Sequence, residues 1–186
     1  MKTVYSLIVV CFFTAVNTLS FAQDNFKSAM KKNKSKFKGS EIKCDVKFAT
    51  HAAEANIIDV AFGQLAQTKA SSTQVRDLGK SMSDGHSKAN TELKELADKK
   101  GIVLPTEMCK SAKRHYDKLS KKTGADFDKA YVKCVIKGHK HEIKCGYLKE
   151  AEKGKDADIR QWAADKLPTL YQHLAMGKDA CKVLKH

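Results

Sequence analysis

Five side chains with metal-ligating chemistry lie on or beside apolar helical stripes: Glu54, His86, His139, Glu142 and His173. His86 belongs to the stripe Val75, Leu78, Met82, His86, Ala89, Leu93 and Leu96, spaced by threes and fours. An imidazole on an apolar face needs a hydrogen-bond partner or a metal, because burying it bare is costly. His51 and Glu54 are three residues apart, as are His139 and Glu142, so each pair shares one helix face. If they converge, His86, His139, Glu142 and His173, with Glu54 behind, form a set for one Zn2+, Fe2+ or Cu2+ ion. Di-iron bundles use Glu-x-x-His on two helices. None of the expected helices carries that order, and the carboxylates are too few for two irons. The plainer alternative is core histidines bonded to one another, to Glu142 or to backbone. No phosphate-cradling glycine loop, His-Glu-x-x-His or recognisable nucleophile setting occurs, so an enzyme is not expected.

Four long helices must position these residues. The first is expected from about Val46 to Ala70, with Ala53, Ile57, Val60, Ala61 and Leu65 inward, Glu54 at the edge and Asp59 pointing away. Ser71-Ser72-Thr73 is a short turn with capping residues. The second helix runs to about Lys100 and stops at Gly101. Leu104-Pro105 breaks the pattern, and a minor basic helix follows from about Glu107 to Lys121. The third long helix is expected from about Asp126 to Lys153. The fourth runs from about Asp158 to Val183, with Pro168 kinking it before His173. No strand pattern competes. The fold class is all-α: two antiparallel helix pairs joined by a long connection with a minor helix, as in ferritin-like four-helix bundles.

The ends of the chain speak to location and partners. Residues 1–22 read as a signal peptide: Lys2, a mostly apolar run from Val4 to Val16, and Ser20-Phe21-Ala22 before a cut at Gln23. The protein is therefore expected outside the cytoplasm, in the periplasm, at the outer membrane or beyond. The full chain carries a formal charge of +14, and its partners are expected to be anionic: envelope polymers, lipids or nucleic acid. Residues 23–43, with Lys27, Lys31, Lys32, Lys34, Lys36 and Lys38, read as a disordered or loosely helical arm and the leading anion contact. A solubilising lysine coat is the plainer alternative. Residues 44–186 form the bundle. Five cysteines follow the leader, and export favours disulfides. Cys44 with Cys109 is the first expected pair and Cys134 with Cys181 the second.

Several stretches together resemble a known family. They are Phe62-Gly63-Gln64-Leu65-Ala66, Met82 to Asn90, Lys100 to Pro105, Phe127 to Tyr131, and Lys166-Leu167-Pro168-Thr169-Leu170-Tyr171-Gln172-His173-Leu174. They resemble domain-of-unknown-function family 4142, small exported bacterial proteins often labelled putative outer-membrane proteins. The resemblance implies export and a ferritin-like bundle, with no established activity. Members of that family usually carry Asp-His on the second and third helices. Here these positions read Gly85-His86 and Gly138-His139. The imidazoles match and the neighbouring carboxylates are missing, so any orientation of the rings must come from elsewhere.

Overall fold

A computed structural model describes residues 25–184 of the chain. The expected leader, residues 1–22, and its cleavage point lie outside the described residues. The elements in order are α1 (Asn25–Lys36), α2 (Lys43–Lys69), α3 (Thr73–Lys100), α4 (Lys110–Ser120) and α5 (Gly124–Glu142). A π-helical turn (Ile143–Tyr147), α6 (Leu148–Lys153) and α7 (Ala157–Val183) follow. The described residues form an all-α bundle without strands. Two boundaries have a clear local cause. The α3 helix ends because Gly101 takes the left-handed conformation, φ 64°. The α7 helix starts where the Asp156 side chain accepts the Asp158 and Ile159 N–H groups. The α7 helix is continuous through Pro168. The third long helix is α5, the π turn and α6 in one path.

Two aspartates tie the helix pairs together at opposite ends. Asp128, on α5, accepts the Ser71 and Ser72 N–H groups and the Ser71 hydroxyl, at 2.6–3.1 Å, across the α2–α3 turn. Asp45, on α2, accepts the Lys155 and Asp156 N–H groups at 3.0 and 2.7 Å, across the α6–α7 turn. Each pair thus satisfies the turn backbone of the other.

The α2–α3 contact is made by backbone. A Cβ placed on Gly63 would lie 2.6 Å from the Gly79 carbonyl oxygen, and one on Gly79 would lie 2.7 Å from Ala66 Cβ. Around this seam α2 buries Ala49, Ala52, Ala53, Asn56, Phe62, Gly63 and Ala66. Ile57, Val60 and Ala61 are only half-buried, so the inward face is rotated from the one expected. The rotation brings Asn56 inward and corrects the outward placing of Asp59, whose side chain is only 15% exposed.

Residues 25–36 are not a loose arm. They form α1, which lies against α2 and the 101–106 connection. Asn33 is buried and donates to Thr50 Oγ1 and the Val103 carbonyl, while accepting the Val103 N–H. Asn25 exchanges two hydrogen bonds with Thr106 in the same manner. Lys36 Nζ donates to the Gly101 carbonyl. Ala29 and Asn33, one turn apart, are the buried contacts, and the lysines radiate from the other faces.

The bundle interior is layered. One apolar cluster holds Phe62, Leu78, Met82, Phe127, Tyr131 and Val135. A second holds Ala53, Ala89, Leu93, Ile143, Trp162 and Leu170. His86 falls between Met82 and Ala89, and His139 between Val135 and Ile143. The histidines therefore occupy a polar layer between two apolar ones.

Candidate metal centre

Three long helices each contribute one imidazole to that layer. His86 comes from α3, His139 from α5 and His173 from α7, and all three are buried. His86 Nε2 lies 3.3 Å from His139 Nε2, which lies 3.3 Å from His173 Nδ1. One nitrogen from each ring falls within a sphere of mutual separations under 4.8 Å.

Surrounding hydrogen bonds fix which nitrogen is free on two of the rings. Asn56 Oδ1 lies 2.9 Å from His86 Nδ1. A carbonyl oxygen only accepts, so the His86 proton sits on Nδ1 and its Nε2 lone pair faces inward. The Ser81 carbonyl lies 3.1 Å from His173 Nε2, which places that proton outward and the Nδ1 lone pair inward. His139 Nδ1 is buried without a hydrogen-bond partner, so no contact sets that ring's tautomer; protonated there, it adds a third lone pair to the same space. Outer hydrogen bonds that set a ring's tautomer are the usual support of metal-binding histidines. Two imidazole nitrogens held ~2.0–2.1 Å from one ion at the tetrahedral angle are ~3.3–3.4 Å apart. The two observed separations have that value.

Carboxyl groups complete the layer. Asp59 Oδ2 lies 3.6 Å from His86 Nε2. Asp59, His139 and Glu142 form a second group of close ligand atoms, so His139 is common to both sets. Asp59 Oδ2 and Glu142 Oε2 are buried without a hydrogen-bond partner. Burial, then the charge of Glu142, pushes the Asp59 carboxyl well above the usual carboxylate range. Burial pushes Glu142 up to about 7. The imidazoles move the other way. Burial, then the neighbouring His139 and His173, holds His86 well below its ordinary value. Burial, then His173, brings His139 down to about 3, and burial lowers His173. The imidazoles are therefore neutral, the state a metal ligand requires.

Of the five expected ligands, His86, His139 and His173 meet directly and Glu142 joins through His139. Glu54 does not. Its Oε1 accepts the Cys109 N–H at 2.8 Å, and it belongs to neither ligand group. Asn56, Asp59 and Ser81 were not expected there. Asn56 and Asp59 are three residues apart on α2, a spacing that puts both on one face.

The cysteines do not pair. All five described cysteines are free thiols. Cys109 is docked at Glu54, and Cys44 is ten residues earlier on α2, ~15 Å along the axis. A disulfide needs Cα atoms within about 7 Å, so the expected Cys44–Cys109 pair is out of reach. Cys134 and Cys181 are likewise unbridged.

Residues 29–180 match the family model described as a domain of unknown function, DUF4142, and the chain belongs to that family. Neither curated proteins nor solved structures give a match. A Cβ on Gly85 would lie 2.9 Å from His173 Cε1, so the glycine leaves room for that ring. His86 is oriented by Asn56.

Proposed function

We propose that this is an exported, non-enzymatic envelope protein whose ferritin-like bundle holds one divalent transition-metal ion, Zn2+ or Fe2+. Its role would be metal handling or envelope stress. The observation that carries the reading is the convergence of His86 Nε2, His139 Nε2 and His173 Nδ1 with outward protons set by Asn56 and Ser81. Asp59 and Glu142 add support. Two buried carboxyls without a cationic partner are costly, and a divalent ion among them offsets that cost. Export rests on the leader pattern in residues 1–22. The test is elemental analysis of the full chain made without a polyhistidine tag. About one zinc or iron per chain is expected, lost in His139→Ala. A folded protein that takes up neither ion on dialysis overturns the reading.

A second reading is supported by exposed cations. Lys31, Lys32 and Lys34 on α1 and Lys110, Arg114 and Lys118 on α4 are exposed. They suit an anionic envelope polymer, lipid surface or nucleic acid. Because α1 is bonded into the bundle, reversing the charge of Lys31, Lys32 and Lys34 is a cleaner test than deleting the helix. If these residues contact duplex phosphates, log affinity falls with log salt by roughly 0.9 per phosphate, and the variant flattens that slope. Binding that ignores both salt and charge reversal excludes this contact.

A further inference from the structure

A groove of about 600 Å3 runs between α2 and the continuous path of α5, the π turn and α6. Its walls include Phe48, Ala52, Ala55, Ile58 and Tyr147, and its lining includes Glu54 and Glu142. Glu54 is only 7% exposed. With Oε1 taken by the Cys109 N–H, its Oε2 is buried without a partner, as is Oε2 of Glu142. Unsatisfied buried acceptors are rare and need explanation. The third such atom in the lining is Glu150 Oε1; burial, then the neighbouring Asp45 carboxyl, pushes Glu150 up to about 7. Every buried unpartnered atom along this groove is thus a carboxyl oxygen; no buried donor waits there. The lysines around it, Lys47, Lys149 and Lys153, are exposed and free to turn to water.

The geometry points to a binding site for a small organic cation, an ammonium or guanidinium group on an apolar, ring-sized body. Its N–H donors satisfy Glu54 Oε2 and Glu142 Oε2, and its body lies against Phe48, Ile58 and Tyr147. The volume falls in the range of small-molecule sites, with apolar walls and few polar groups. An anion would set its charge against two carboxyls. A bare metal ion does not answer Glu54, which belongs to neither ligand group. This site adjoins the histidine centre through Glu142, which lines the groove and also lies beside His139, while Glu54 belongs to the groove alone; it does not require a metal at the histidines.

The protein contains its own reporter. Its single tryptophan, Trp162, packs against two groove residues, 6.2 Å from the Phe48 ring and 5.8 Å from the Tyr147 ring. The full chain, metal-stripped and metal-loaded, is titrated with benzylamine, benzyl alcohol and phenylacetate by Trp162 fluorescence and calorimetry. Benzylamine is expected to saturate, benzyl alcohol to bind roughly tenfold more weakly or less, and phenylacetate not to bind. Glu54→Gln should weaken benzylamine by roughly tenfold or more and leave metal content unchanged. Ala55→Phe, which fills the groove from its wall, should abolish binding and decides the matter if Glu54→Gln fails to fold. Equal binding of amine and alcohol, preference for phenylacetate, or retained affinity in either folded variant overturns the inference. Lost metal binding with intact amine binding removes only the metal reading; the reverse removes only this one.

Discussion

The two sides of α2 are built on opposite plans. Toward α3, Gly63 and Gly79 let the backbones touch, and nothing larger than hydrogen fits between them. Toward α5 and α6, the same helix stands away, leaving a groove with Glu54 and Glu142 in its lining. The first side fixes where α3, and with it His86, sits. The second leaves carboxyl oxygens that no protein donor satisfies. Rigidity on one side is what allows polar, imperfectly paired groups to persist on the other.

The largest effect should come from the open side, through pH. In metal-stripped protein the lowered imidazoles contribute stability that is present above their unfolded value of 6.5 and lost as pH falls. Glu142, raised from 4.5 to about 7, does the reverse: its stability is complete below pH 4.5 and lost as pH rises through about 7. Asp59, also raised, acts in the same direction as Glu142. Between about pH 4.5 and 6.5 the two sets oppose each other, three imidazoles against two carboxyls, so the rise of stability with pH should be damped there and steepen below it. Glu142→Gln removes one opposing group. As pH falls from 6.5 to 4.5 it should lose about 3 kcal/mol relative to the parent chain, because the parent regains the Glu142 contribution and the variant does not, as read by denaturant melts at each pH. Parallel pH profiles for the two proteins would show that Glu142 is not perturbed.

Next is the closed side. Gly63→Ala puts a Cβ against the Gly79 carbonyl and should destabilise by roughly 1–3 kcal/mol, measured by urea denaturation. Unchanged stability would mean that the seam has slack. Then comes the tie between the sides, since Asn56 lies on α2 and holds His86. Asn56→Ala should weaken metal affinity by roughly 10–100-fold, measured by chelator competition, with the ligands themselves untouched. The smallest effect is expected at Gly146, whose added Cβ would meet only the Phe48 ring, at 3.7 Å. Gly146→Ala should be neutral or stabilise by up to ~1 kcal/mol, the helix preference for alanine, seen as a small rise in Tm. A loss as large as that of Gly63→Ala would erase the contrast between the two sides.

Much of this was legible before the structure. The α3 stripe runs through His86 without interruption, and Gly101 ends that helix as its residue type demands. His139 and His173 lie on similar stripes. The failures fall on α1 and α2. The α2 helix packs on several neighbours, and its apolar residues are spread over several faces and mixed with Glu54, Asn56 and Asp59, so periodicity offers no single inward face. That is why Asn56 and Asp59 were hidden. In α1 the lysines hide the short spacing of Ala29 and Asn33, and side-chain amides do the docking where apolar bulk would normally signal it. Glu54 misled for another reason. Proximity to His51 on one face says nothing about a distant backbone N–H, and that of Cys109 took its oxygen.

The reciprocal aspartates bear on how the molecule assembles. Neither hairpin can complete its own reversal, since the amides at Ser71 and Ser72 await Asp128 and those at Lys155 and Asp156 await Asp45. A fragment cut between α3 and α5 therefore carries an open end that only the other fragment can close. The two halves are obligate mates, and the chain should unfold in one cooperative transition instead of hairpin by hairpin.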